Sequence, residues 1–171
     1  MANFCLNCGS ALVAREIEGR PIPACPSCEF VLWPDPKVVT MTVVEDQEGR
    51  LVLGRRAIEP GYGLWCLPGG YVNDDEHPLN AAVRECREEI LSEVAITGLL
   101  DVYHIPSRHG RSMVALAYLG QLVGPGYEAG PEMLEVRAFA PGSIPPLAFE
   151  SHLRALSDWR ERKAKGGVSG L

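Results

Sequence analysis

The 171-residue chain has no apolar run approaching the roughly 20 residues of a membrane-spanning helix, so a membrane partner is not expected. A cationic, then apolar leader is not expected either. Met1-Ala2-Asn3-Phe4-Cys5 resembles neither a signal nor a transit peptide, and the expected compartment is the cytoplasm. Positive charge is scarce: 16 Lys and Arg stand against 22 Asp and Glu, a formal net charge of −6. A broad basic surface, and with it a nucleic-acid partner, is not expected. What is plentiful is apolar residues, 46% of the chain. That is ample for the core of one medium domain, or of one domain plus a small module.

Cysteine is used in a pattern. Cys5-Leu6-Asn7-Cys8 and Cys25-Pro26-Ser27-Cys28 are two knuckles with the spacing of a four-cysteine zinc ribbon. Two tight turns would each present two thiolates, and Zn²⁺ would close a tetrahedron that so short a segment needs for stability. Gly9 relieves the turn after the second ligand. The alternatives are two disulfides or a redox Cys-x-x-Cys; in a reducing compartment disulfides are rare, and no strand-helix unit surrounds either pair. Four thiolates leave no open position, so this zinc is structural. Arg15, Arg20 and Lys37 are balanced by Glu16, Glu18, Glu29 and Asp35, which favours a folded cap or a dimer contact over nucleic-acid binding. Cys66 and Cys86 read as small hydrophobes.

Acidic residues are concentrated in one short stretch. Gly70 is followed after five residues by Glu76, then after seven by Arg84-Glu85-Cys86-Arg87-Glu88-Glu89. An α-helix turns about 100° per residue, which puts Glu88 roughly −60° and Glu89 roughly +40° from Glu85. The three carboxylates share a face, and Leu79, Val83, Cys86 and Ile90 form an apolar stripe on another. Like charges at these spacings weaken a helix unless a cation joins them. Oxygen ligands of this kind suit Mg²⁺ or Mn²⁺, which retain waters and bridge phosphates. A solvated acidic face is the plainer alternative for a bare Glu-x-x-Glu-Glu.

With Leu67-Pro68-Gly69-Gly70 in front, the stretch resembles the Nudix hydrolase box, Gly-x5-Glu-x7-Arg-Glu-U-x-Glu-Glu-x-Gly-U, where U is apolar. It departs at Leu91, where the family has glycine, and at Ser92, where the family has an apolar residue. The missing glycine removes the usual left-handed helix stop. The resemblance implies an α/β/α sandwich with a mixed sheet, here preceded by the ribbon. It implies metal-dependent hydrolysis of the pyrophosphate in a nucleoside diphosphate linked to another moiety. Glu85, Glu88, Glu89 and the Gly70 carbonyl would hold Mg²⁺ or Mn²⁺, with Arg84 and Glu76 as orienters. Two ribbon-bearing groups of the family are similar to this chain. The NADH pyrophosphatase type carries Ser-Gln-Pro-Trp-Pro-Phe-Pro after the box, absent here. The FAD and ADP-ribose diphosphatase group tends to read Gly-Pro-Glu-x-Leu-Glu-Val-Arg-x-Phe, matched by Gly130–Phe139. FAD or ADP-ribose is therefore the expected substrate, with NADH and a non-catalytic nucleotide sensor as alternatives. The family often dimerises, so a homodimer is an option.

Along the chain, residues 1–33 read as the ribbon, 37–163 as the hydrolase domain and 164–171 as a disordered tail. Strands are expected at Val38–Val44, Leu51–Leu53, Val94–Tyr103, Met113–Val123 and Val136–Phe139. Helices are expected from Pro78 and over Phe149–Lys163. Glu132, on a mobile Gly/Pro-rich loop, is the first candidate for general base and Glu135 the second. Arg55 and Arg56 could reach phosphates. Trp65 and Tyr103 could stack on a base or belong to the core. His104, Arg108, His109 and Arg111 form a polar cluster in an expected hairpin loop.

Overall fold

The two cysteine turns repeat one another. In the computed structural model, which describes residues 4–106, 111–124 and 126–166, the Asn7 amide donates to Cys5 Sγ (3.4 Å) and the Ser27 amide to Cys25 Sγ (3.3 Å). Cys5 N–H donates to the Ser10 carbonyl and Cys25 N–H to that of Phe30. After each second cysteine the backbone turns left-handed, at Gly9 (φ 74°) and at Glu29 (φ 59°). Between the turns, β1 (Val13–Ile17) and β2 (Arg20–Ala24) pair antiparallel. Glu18 and Gly19 close them with positive φ at both residues, the geometry that matches strand twist.

The described residues up to Lys37, with Pro106, Arg111 and Ser112, form one compact unit. Val38–Ile105 and the described residues from Met113 onward form the second. Arg108 and His109 of the polar cluster lie outside the described residues, as does 167–171 of the expected tail.

The second unit is a mixed sheet between two helices. Its strands are β3 (Lys37–Glu45), β4 (Leu51–Arg56), β5 (Trp65–Cys66), β6 (Val94–Ile105), β7 (Met113–Leu122) and β8 (Met133–Phe139). The order is β5-β4-β3-β7-β6, with β8 antiparallel along β4. The helices are α1 (Pro78–Ile90) and α2 (Glu150–Ala164). Strand alternation assigns side chains to the two layers. Met41, Val43, Leu51 and Leu53 pack with Ala155, Leu156 and Trp159 of α2. Val44, Val52, Val94 and Leu122 pack with Cys86 and Ile90 of α1. Each expected strand and helix is present, and β4 and β8 are longer than expected. The extension of β4 takes Arg55 and Arg56 into the strand, and that of β8 takes in Glu135. No helix of the described residues is long and apolar enough to cross a membrane.

Helix α1 starts as its sequence requires. Pro78 supplies no amide at the first position, where none is needed. His77 Nδ1 accepts the Leu79 amide at 3.2 Å as the N-cap. The helix ends without glycine. Leu91 itself adopts φ 46°, ψ 40°, the left-handed stop, with half of its surface exposed. The last carbonyls of α1 are taken from a distance: Glu128 N–H donates to the Ile90 oxygen and Gly130 N–H to the Glu89 oxygen, each at 3.0 Å. Ser92, at the position the family fills with an apolar side chain, is buried and donates its hydroxyl to Gly126 O at 2.8 Å.

Candidate active site

Arg84 is the hub of the acidic face. Its Nε and Nη2 grip Glu76 at 3.1 and 2.7 Å, and Nη2 also donates to the Tyr71 carbonyl at 2.9 Å. Its Nη1 stands between Glu85 (2.7 Å) and Glu88 (3.0 Å). The Glu76 pairing is planar and two-pronged, a geometry lysine cannot reproduce. Glu76, and then Glu85, hold the guanidinium firmly in its charged form.

The carboxylates differ in setting. Glu89 is buried, and its Oε2 accepts the Gly69 amide at 2.8 Å. Burial pushes its pKa up to about 8; the Gly69 N–H and the Arg56 cation pull against that rise, while Glu85 and Glu132 add to it. Burial also raises Glu85, Arg84 opposes the rise, and Glu88 and Glu132 reinforce it. Glu88 is the exposed member. A face so loaded with negative charge, part of it desolvated, is one that a divalent cation would relieve.

The glycine turn fits closely against these groups. A Cβ on Gly70 would lie 2.7 Å from the Glu85 carboxylate, and one on Gly69 would lie 2.2 Å from the Thr40 carbonyl oxygen. The turn is tied to β3: Thr42 N–H donates to Pro68 O and Thr40 N–H to Gly70 O, each at 2.8 Å. The Gly70 carbonyl thus has one lone pair engaged and one left for a ligand.

The loop before β8 is hydrogen-bonded to the end of the helix. Besides the bonds from Glu128 and Gly130, the Glu132 carbonyl accepts the Ala57 amide at 2.8 Å. Glu132 remains exposed at its side chain and acts electrostatically on both Glu85 and Glu89. Glu135 instead pairs with Arg137 on β8.

The other expected residues divide. Arg56 is buried; its Nε donates to Pro60 O at 2.7 Å and its guanidinium lies 5.0 Å from the Phe149 ring centroid. It is close enough to Glu89 to lower that group's pKa. Arg55 is exposed and donates from Nε to Gly63 O at 2.9 Å. Trp65 is half-buried, edge-on to Phe139, with Arg137 over its face at 5.8 Å. Tyr103 is not a stacking residue of this site. It is 2% exposed in the α2 layer, with its hydroxyl donating to Asp158 and Arg154 covering its ring. A buried Tyr needs such a partner for its hydroxyl, and the tertiary fold supplies one. Cys66 and Cys86 are buried, and burial pushes both thiols up to about 12, so neither is a ready nucleophile.

The four knuckle cysteines converge. Among the described residues they are the acidic, His or Cys group whose ligand atoms all lie within 4.8 Å of one another. Cys5–Cys28 and Cys8–Cys25 sulfurs are each 3.5 Å apart, and all four are free thiols. A tetrahedron with Zn–S bonds of about 2.3 Å sets sulfurs at a comparable separation.

Sequence reasoning missed Gly130, whose Cβ would meet the Glu88 carbonyl oxygen at 1.8 Å. It also missed His152, whose Nδ1 accepts the Leu67 amide at 3.0 Å. Gly130 opens the Gly130–Phe139 match, but nothing in that pattern registers its approach to α1, and a helical histidine leaves no local pattern of its own.

A family model described as NUDIX domain matches residues 35–159. The chain is 29% identical over 136 residues to an ADP-ribose pyrophosphatase of Methanocaldococcus jannaschii, covering 79% of each protein. Among solved structures, a NUDIX hydrolase from Nitrosomonas europaea superimposes with a TM-score of 0.87 at 32% identity, covering 99% of this chain and 97% of that one. The NUDIX domain of Shewanella oneidensis NrtR, solved with ADP ribose, shares the fold with a TM-score of 0.64 at 21% identity, covering 75% of this chain and 89% of that one.

Proposed function

The chain belongs to the NUDIX family, and from that premise we propose that this hydrolase cleaves the pyrophosphate of a nucleoside diphosphate linked to a second moiety, with ADP-ribose as its substrate. The observation that carries the reading is the complete acid face of α1 against the Gly69–Gly70 turn, with Glu132 held beside it. The relationship to an ADP-ribose pyrophosphatase over 79% of the chain supports the choice of substrate.

Glu85, Glu88, Glu89 and the free lone pair of the Gly70 carbonyl are the proposed ligands of Mg²⁺ or Mn²⁺. When bound, such an ion supplies positive charge to the phosphate oxygens and makes water a better nucleophile. The protein's own part is positioning. Gly69 N–H orients Glu89, and Arg84 orients Glu85 and Glu88 through Nη1 while its other nitrogens lock Glu76. Glu132 takes the proton of the water that attacks phosphorus. The new P–O bond forms as the bridging P–O bond breaks, so ADP-ribose and water give AMP and ribose 5-phosphate. Arg55, exposed at the end of β4, is the proposed phosphate contact, and Arg56 tunes Glu89 from behind. Trp65 offers a partly open ring for a base.

The cysteine quartet is the proposed seat of a structural Zn²⁺, with residues 1–33 as a ribbon module and 37–163 as the hydrolase domain. The compact grouping of the described residues up to Lys37 supports that division.

The test is a hydrolysis panel with Mg²⁺ or Mn²⁺ over ADP-ribose, FAD and NADH, with products identified by mass. AMP release from ADP-ribose, abolished in a Glu88→Gln/Glu89→Gln double variant, is expected. Turnover unchanged in the double variant would remove the site assignment. Preference for FAD or NADH would correct the substrate.

A further inference from the structure

The Gly69–Gly70 turn is braced from the far side of the sheet. The segment entering α2 runs along β5: Ala148 N–H donates to Trp65 O at 2.8 Å, and Leu147 bridges Trp65. One helical turn later, His152 Nδ1 accepts the Leu67 amide at 3.0 Å. Leu67 and Pro68 are fully buried and lead directly into Gly69. Gly69 then donates to Glu89 Oε2 at 2.8 Å. A continuous covalent and hydrogen-bonded path of five residues, His152–Leu67–Pro68–Gly69–Glu89, therefore links α2 to the buried carboxylate of α1.

We propose that His152 is a positioning residue: by accepting the Leu67 amide, its imidazole fixes the backbone that delivers the Gly69 N–H to Glu89. The inference deepens the proposed function and rests on it for the part that concerns turnover. Only an acceptor can play this role, so the imidazole must be neutral at Nδ1. The surroundings secure that state, since burial and the Arg56 cation both disfavour the imidazolium. Outer partners of a metal-ligating carboxylate typically change affinity or activity by about 10–100-fold when removed. The bond to Glu89 concerns the reacting centre and not the rest of the substrate, so its loss should lower kcat more than it raises KM.

Three variants of the full chain separate the acceptor from the bulk. His152→Asn keeps an oxygen acceptor near the Nδ1 position. His152→Leu keeps volume without an acceptor. His152→Gln places its acceptor farther out, near the Nε2 position. Amide hydrogen exchange at Leu67 and Gly69, measured without metal, reads the brace directly. In the Leu variant, exchange at both amides should speed up at least about tenfold and kcat for ADP-ribose should fall about tenfold with KM within about twofold, the Asn variant staying near wild type. If Gly69 exchange is unmoved while Leu67 exchange rises, or if Asn and Leu behave alike, the brace is wrong. Should the Leu variant fail to fold, the Asn and Gln pair decides: equal exchange at Gly69 overturns the proposal and faster exchange in Gln upholds it. If wild-type protein hydrolyses none of the nucleotides, the functional reading falls, while the exchange measurement still judges His152.

Discussion

Gly130 stands so close to Glu88 that a Cβ on it would lie 1.8 Å from the Glu88 carbonyl oxygen. This contact seats the loop bearing Glu132 on the last turn of α1, with the Gly130 amide on the Glu89 carbonyl beside it. The residue proposed as general base and the proposed metal ligands are thus placed by one backbone approach. Side chains of any kind are excluded from it.

Gly130→Ala should therefore separate the loop from the helix. Forced repacking of this kind costs about 1–3 kcal/mol, or a Tm lower by roughly 2–12 °C for a chain of this size. The kcat for ADP-ribose should fall with it. Thermal melting and steady-state kinetics check both. A variant with wild-type Tm would show that the loop moves aside freely.

Leu91→Gly should act in the opposite sense. Leu91 holds a left-handed conformation while half exposed, so little packing is lost on truncation. Relief of about 1–2 kcal/mol of strain, less the added flexibility of glycine in the unfolded chain, leaves a net gain of about 0.5–1 kcal/mol. Denaturant midpoints should rise with an unchanged slope. A fall in stability would mean that the exposed Leu91 side chain contributes packing that outweighs its strain.

The purified protein should carry one zinc per chain, released when Cys25→Ser removes one thiolate. Metal analysis of both proteins measures this. Because the short β1–β2 hairpin has few apolar contacts of its own, amide protection over Val13–Ala24 should collapse on chelation. Retained protection without metal would remove zinc as the organiser of this segment.

His152 gives stability a specific pH dependence. Its native pKa is pushed below the usual 6.5, to about 3, by burial and then by Arg56. Between those values the unfolded chain binds a proton that the native chain refuses. The contribution is therefore complete above the unfolded pKa and is lost as pH falls through that window. The stability difference between wild type and His152→Asn, from urea melts at several pH values, should shift in favour of wild type as pH rises from acid to neutral. A difference that does not vary with pH would count against a neutral buried imidazole.

Features that depend on short separations were legible from the order of residues alone. Helical pitch put Glu85, Glu88 and Glu89 on one face, Pro78 marked the start of α1, and Cys-x-x-Cys spacing marked the knuckles. Continuous apolar and β-branched runs in Val38–Val44 and Leu51–Leu53 located the central strands. Other features depend on residues far apart in the chain. Tyr103 went to the α2 layer because a distant Asp158 accepts its hydroxyl. The loop bearing Glu132 meets α1 because the carbonyls left open at the end of the helix accept its amides. Leu91 takes the left-handed stop in place of glycine, while amides from distant Glu128 and Gly130 satisfy the carbonyls at the helix end. His152 met Leu67 because the Leu147–Ala148 segment entering α2 runs along β5. Local periodicity registers none of these, since each is fixed by hydrogen bonds or close approaches that form only once the sheet has brought its two layers together.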